Sequence, residues 1–451
     1  MPRYPGGLIR KTPVTPAGPF QNGAASGVWT LADAAYWTKQ GLWPTQGVLP
    51  SWIGVWGDSA VENFNDIAID SGGNLYATGD TSTSGVGSYA TVKYNSLGVL
   101  QWQRRLSDTN GTSGYGVCVD SSGNVYLTGD SYYSMGLIKY DTSGTLQYQQ
   151  FVDNGNIELG YGGAIDSSAN FYAVGQLRLS GVDNFIITKT NSSGAVQWQR
   201  YLGIPGNYAY GLGAVTDASN VYVCGNVQGI AMLAAYSLAG TLQWQRKLTA
   251  PSTAMTFNGC ATDGAGSVYA VGREDATPRI GVVVKYNSSG VIQWQRKLSG
   301  VSDISLERCA VDASGNLYAS GTLGQFGTSA LIVCYNSSGV LQWQRTFAVS
   351  GGSVTGRGVT TDASGTYYLC GSTSRPTQNG LIARLPTSGT KTGTYALGGA
   401  SYTYAASSLT EAAATYTDAA GTMTNTTISI APTTSGYTAA TTTLTSSVVT
   451  I

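Results

Sequence analysis

The stretch "DSSGNVYLTGD", Asp120–Asp130, returns along most of this chain in altered copies, and this periodicity constrains the fold more than any other feature. Copies begin at Asp70 ("DSGGNLYATG"), Asp120, Asp166 ("DSSANFYAVG"), Asp217 ("DASNVYVCG"), Asp263 ("DGAGSVYAVG"), Asp312 ("DASGNLYASG") and Asp362 ("DASGTYYLCG"). Seven copies at a spacing of about 46 to 51 residues fall in the range of propeller blades. Each aspartate is placed to cap backbone N–H groups of a tight turn, and the glycine supplies a backbone shape other residues resist.

A second motif keeps step with the first. "LQWQR" and its variants place Trp102, Trp198, Trp244, Trp294 and Trp343 at matching points, with Tyr148 in "LQYQQ" and Trp52 in "LPSWIGVW" completing the set. Between the motifs lie further β-type runs. One unit reads "YGVCVD", "NVYLTG", "GLIKYD", "TLQYQQ", joined by Gly-, Ser- and Asn-rich turns. Four antiparallel strands per unit, seven times over, predict an all-β fold: a seven-bladed β-propeller with four-stranded blades across residues 47–393. The last unit lacks its Trp strand, whereas Val48–Trp56 has one to spare. The front strand is therefore expected to complete the last blade. The recurring Trp and Tyr are read as blade-packing residues, with the Arg of "QWQR" on the same strand face as the Trp.

Charge narrows the function classes. Lys and Arg total 24, Asp and Glu total 24, and there is no histidine. Zero net charge gives no electrostatic case for nucleic acid or an anionic membrane. Lack of histidine removes the usual general base and zinc ligand. The repeated aspartates lack the alternating oxygen ligands of a calcium loop. Cys118, Cys224, Cys260, Cys309, Cys334 and Cys370 occupy positions where other copies carry small or apolar residues, so they read as buried hydrophobes. No catalytic, cofactor-binding or metal-ligating set is assigned. Glu274 and Asp275 are adjacent acids, a poor arrangement for paired-carboxylate hydrolysis.

The pattern D-x-S-G-N-x-Y-x-x-G … K-Y … G-x-x-x-W resembles the SBBP β-propeller repeat family, roughly from Gly47 to Gly393. The resemblance implies the fold and says little about activity, since one fold hosts many functions. Binding sites should then break the repeat symmetry. The irregular stretches "TSTSGVGSYA", "NGNIELGYGG", "GREDATPRIG" and "LGQFGTSA" are the candidates.

Both ends depart from the repeat. Residues 1–46 read as a docking arm: an extended Pro/Gly-rich lead, then a short helix capped by Thr30 and Asp33 and ended by Gly41. Trp29, Trp37 and Trp43 give this arm an apolar payload that needs a surface to bury against. "PGGLIRKTP" followed by "SGVWTLADAAYWTKQGLWP" resembles a leader on virion proteins of tailed bacteriophages of marine and cyanobacterial hosts. Residues 394–451 are rich in Thr, Ala and Ser and are expected to form a β segment, folded alone or paired with another chain.

Together these readings give a non-enzymatic virion structural protein, assembled in the host cytoplasm, needing no cofactor and presenting its propeller on a tail or fibre for host-surface attachment. Its expected partners are other virion proteins, through the arm and the C-terminal segment, a host-surface glycan or protein, and further copies of itself in a homo-oligomer. The alternatives are a capsid or tail decoration protein and, least supported, a glycan-degrading enzyme.

Overall fold

The computed structural model describes residues from Ser51 to Thr450, apart from interruptions of one to six residues. Contacts divide the chain into residues 1–50 and 51–451, and the described residues belong to the second unit. The expected arm, its helix and Trp29, Trp37 and Trp43 lie outside the described residues.

Six blades take four strands in unbroken succession from the chain: Val61–Ser107, Thr112–Val152, Glu158–Gly203, Ala209–Thr249, Met255–Ser299 and Ile304–Val349, here blades 1 to 6. A further sheet, blade 7, is composite. Its three strands between Val354 and Leu385 are joined by Trp52–Trp56, which pairs antiparallel with Asn379–Leu385. The first strand of blade 1 touches the first strands of both blade 2 and blade 7, so the ring closes.

The expected architecture is corrected here. Only six blades are built as four consecutive strands, and no described sheet stops at four. No helix occurs among the described residues. The C-terminal segment is not a separate module. Ala400–Ala406 adds to blade 6, Thr410–Ala413 to blade 5, Thr417–Ala420 to blade 4 and Thr424–Ile428 to blade 3. Pro432–Thr434 then adds to blade 2, Thr438–Ala440 to blade 1, and Ser446–Thr450 to Trp52–Trp56 of blade 7. The tail thus circles the ring backwards as a belt. The physical reason is the exposed outer edge: a fourth strand left at the rim would present a row of unpaired N–H and C=O groups.

The core lies between blades rather than within them. One cluster joins Tyr222, Cys224 and Leu233 of blade 4 to Phe257, Cys260 and Val268 of blade 5. The closing cluster joins Trp52, Trp56 and Tyr368 of blade 7 to Phe64 and Leu75 of blade 1. Five of the six cysteines are buried, and Cys118 is half-buried. Burial pushes the Cys118, Cys309 and Cys370 thiols well up, which keeps them as thiols.

Because neighbouring strands are antiparallel, turns after the first and third strands of each blade emerge on one face of the ring. Loops after the second and fourth emerge on the other. All seven repeat aspartates therefore share one face, and the four irregular stretches share the opposite one.

Candidate functional site

The regular face is built from saturated turns. At Asp312, Oδ1 accepts from the N–H groups of Ser314 (2.9 Å) and Asn316 (2.8 Å). Oδ2 accepts from Asn316 Nδ2 (2.9 Å) and Tyr318 OH (3.1 Å). Asp70, Asp120 and Asp166 repeat the set. Asp217 and Asp362 keep the turn and tyrosine bonds. At Asp263 the turn bonds remain, and Tyr269 OH instead donates to Gly315 O in blade 6. Six of these carboxylates are spent on their own turns and on a buried tyrosine, and Asp263 on its turn, with Lys285 Nζ 3.9 Å away.

The tryptophans form latches between blades. Trp198 lies between Tyr172 of its own blade (centroids 5.9 Å apart) and Tyr236 of the next (6.3 Å). Its indole N–H donates to Leu238 O, and Arg200 Nε donates to Gly240 O, both in the next blade's third turn. Arg200 also stands over the Trp198 ring at 5.4 Å. Gly240 has φ +85°, and a Cβ there would meet the Trp198 ring at 2.8 Å. Trp102, Trp244 and Trp294 repeat this geometry. Trp343 lies tilted between Tyr318 and Tyr367. Trp52 is fully buried and donates to Ser96 O. At Tyr148 the aromatic body remains, half-buried against the cluster of blades 2 and 3. Apart from Trp52, then, these aromatics are half-buried at the rim rather than wholly enclosed.

Symmetry breaks at the mouth of the central channel, on the irregular face. Each inner strand carries a β-bulge at the same level, which re-aims a side chain. The bulge brings forward Asn65, Tyr115, Tyr161, Leu212, Asn258, Glu307 and Arg357 in blades 1 to 7. Asn65, Tyr115, Glu307 and Arg357 line a hollow of about 380 Å³ with Asn63, Asp80, Ser372 and Gln378. A neighbouring hollow of about 180 Å³ shares Glu307 and Arg357 and extends to Arg279 and Asp303.

Arg308 floors the hollow. Its Nη1 donates to Asn258 O (2.6 Å) and its Nη2 to Tyr161 O (3.0 Å), spanning the channel from blade 6 to blades 5 and 3. Below it, Asp66 accepts from Val117 N–H and its own neighbour Ile67 N–H. Burial raises the Asp66 pKa, opposed by the positive charge of Arg308. At the mouth, Asp80 is held by Asn63 Nδ2 (2.9 Å) and Asn65 Nδ2 (3.1 Å). Gln378 Nε2 donates to Asn63 Oδ1 (2.8 Å), tying blade 7 to blade 1. Asp130 occupies in blade 2 the place of Asp80 in blade 1, and its Oδ1 is buried without a partner. Burial, more than nearby Asp80, pushes its pKa up to about 6. Tyr115 is pushed up to about 12, by burial first and then by Asp130 and Asp80. Arg357 is exposed.

This arrangement offers carboxylate, amide, hydroxyl and guanidinium groups to one ligand, beside the aromatic edge of Tyr115. It suits hydroxyl-rich or carboxylated molecules. Arg279 lies in the expected stretch "GREDATPRIG" and Tyr161 in "NGNIELGYGG", whereas Asn65, Asp80, Tyr115, Glu307 and Arg357 lie outside the expected stretches. The usable signal was the position after Gly in "YxxG": Asp80, Asp130, Gln176, Asn226, Arg273, Thr322 and Ser372 differ where flanking residues repeat. The acids at Glu274 and Asp275 bond separately, Glu274 to Thr253 Oγ1 and Asp275 to Arg273 and Arg279. Among the described residues, no group of three Cys, Asp or Glu side chains is placed to hold a metal ion.

No curated protein matches this chain. Among solved structures, Sqt1 of Chaetomium thermophilum aligns with 72% of this chain and 97% of its own, at 11% identity and TM-score 0.41. The K499G mutant of NanB sialidase from Streptococcus pneumoniae aligns with 77% of this chain and 72% of its own, at 9% identity and TM-score 0.43. Residues 101–132, from the last strand of blade 1 into blade 2, match the family model SBBP, Beta-propeller repeat, so the chain is similar to SBBP repeats over that unit.

Proposed function

We propose that this protein is a non-enzymatic virion structural component whose propeller attaches to a host surface through its irregular face. The observation that carries this reading is the channel mouth. Six blades of one build and a composite closing sheet present an asymmetric polar hollow on the face where loop sequences diverge. The ring gives that hollow a rigid frame, which lowers the ordering cost of binding. The leader resemblance of residues 1–46 supports a docking role for the arm, and zero net charge suits a crowded particle. The ligand class is a surface glycan with free hydroxyl and carboxyl groups, which the Asp80, Asn65 and Arg357 side chains suit.

Gold-labelled antibody against the propeller, imaged on purified particles, tests the location. Label on tail or fibres supports attachment. Label over the head favours a decoration protein, and no label on intact particles removes exposed presentation. Binding of purified protein to a panel of host polysaccharides tests the ligand class. Retained binding by Arg357→Ala and Asp80→Ala variants would place recognition elsewhere.

A further inference from the structure

The belt carries a repeat of its own. From Thr403 the sequence divides into seven units of seven residues: "TYAASSL", "TEAAATY", "TDAAGTM", "TNTTISI", "APTTSGY", "TAATTTL" and "TSSVVTI". Six open on Thr, and every unit ends on a large apolar or aromatic residue: Leu409, Tyr416, Met423, Ile430, Tyr437, Leu444 and Ile451. There is one unit for each blade.

The pairing register is identical throughout. The second residue of each unit faces the same repeat position: Tyr404 opposite Phe347, Glu411 opposite Leu298, Asp418 opposite Leu248 and Asn425 opposite Leu202. Pro432 faces Val152, Ala439 faces Leu106 and Ser446 faces Trp56. At the one step between units where the side chain is described, Leu409 wedges against Gly300 and packs on the core of blades 5 and 6. Gln344 Nε2 donates to Leu409 O (2.7 Å), fixing the turn. Glu411 pairs with Arg296 at 3.1 Å, and blades 1, 3, 4 and 6 carry an arginine at the same place.

Seven near-equivalent units on seven near-equivalent edges make the belt degenerate. Register within a blade is set, but which unit occupies which blade is not, because each edge offers the same backbone ladder. Moving one unit to an equivalent edge exchanges like bonds for like bonds, the condition under which strand swapping between copies costs little. We propose that the outer edges form a seven-site track for these Thr-rich units, and that a second copy of this chain binds by exchanging belt units. Exchange begins at the unit Ser446–Thr450 on blade 7. This proposal is independent of the attachment reading.

The test uses full-length protein carrying two different affinity tags, co-expressed in one cell. Purification through one tag should recover the other. Val55 and Ser447 are register partners, so V55C/S447C pins the last unit to its own blade when oxidised. Oxidation of that variant before mixing differently tagged copies should cut co-purification at least tenfold, and reductant should restore it. Because Val55 is buried, R105C/A440C, a register pair on blade 1, serves as a second lock. Wild-type tags that never co-purify, or co-purification unchanged by either lock, overturns the proposal.

Discussion

The two faces of the ring use the same residue types to opposite ends. On the regular face, seven aspartates each take two backbone N–H bonds in the turn that follows, and six of them also take a tyrosine hydroxyl. On the irregular face, Asp130 keeps a buried oxygen with no partner, and Arg357 stands exposed at the rim of a hollow. The difference teaches that a carboxylate with its acceptor capacity filled is scaffold. One buried with an oxygen left unpaired, as at Asp130, carries a cost in stability.

The comparison can be broken most forcefully at the ring closure. Trp52 is fully buried between blades 7 and 1, so Trp52→Ala should destabilise by about 3–5 kcal/mol, read by chemical denaturation. A variant with unchanged stability would show that the front strand does not close the ring. Next is the saturated turn. Asp312→Ala strands Tyr318 OH and two N–H groups and should cost about 2–3 kcal/mol while leaving the channel mouth intact.

Two glycines sharpen the latch. Gly240→Ala forces a Cβ into the Trp198 ring, whereas Gly264→Ala, with φ +72° and nothing within 4 Å, meets only backbone strain. The first should cost more than the second, which should stay near 1 kcal/mol. Equal losses would remove the close packing of that turn against Trp198.

The open face makes a pH prediction. The Asp130 pKa in the fold, about 6, lies above the ordinary carboxylate value of about 3.9. The fold therefore favours the neutral acid, and wild-type stability from this group falls as pH rises through about 6. Asp130→Asn should raise the melting temperature at pH 7, and that advantage should vanish below about pH 4. An advantage that persists at pH 3 would remove titration as the cause. Smallest of all, Arg357→Ala should change stability by less than about 0.5 kcal/mol, because the side chain is exposed.

Much of the scaffold was legible because it repeats. A turn aspartate, its glycine and the following tyrosine recur at one spacing, and local hydrogen bonding needs little more than that spacing. The strand swap at Trp52–Trp56 was legible by counting one motif too few at one end and one too many at the other. The channel mouth was not. Asp80, Tyr115, Glu307 and Arg357 come from blades 1, 2, 6 and 7, and no local pattern says that bulges aim them at one space. The belt was missed for a different reason. Its seven-residue repeat is present in the sequence, but low complexity hides it until the blades supply a reason to count in sevens.

Periodic turn chemistry and alternating apolar strands are short-range properties, so the chain itself dictates blades, their hairpins and the residues between them. Closure brings together residues far apart in the chain. Arg308 reaching Tyr161 across the channel, Gln378 bridging to Asn63, and Ser446–Thr450 capping the strand that begins at Trp52 arise only when the ring is complete. Those contacts depend on the curvature of the ring and the angle between blades. These are sums over every interface, and no single stretch of sequence encodes them.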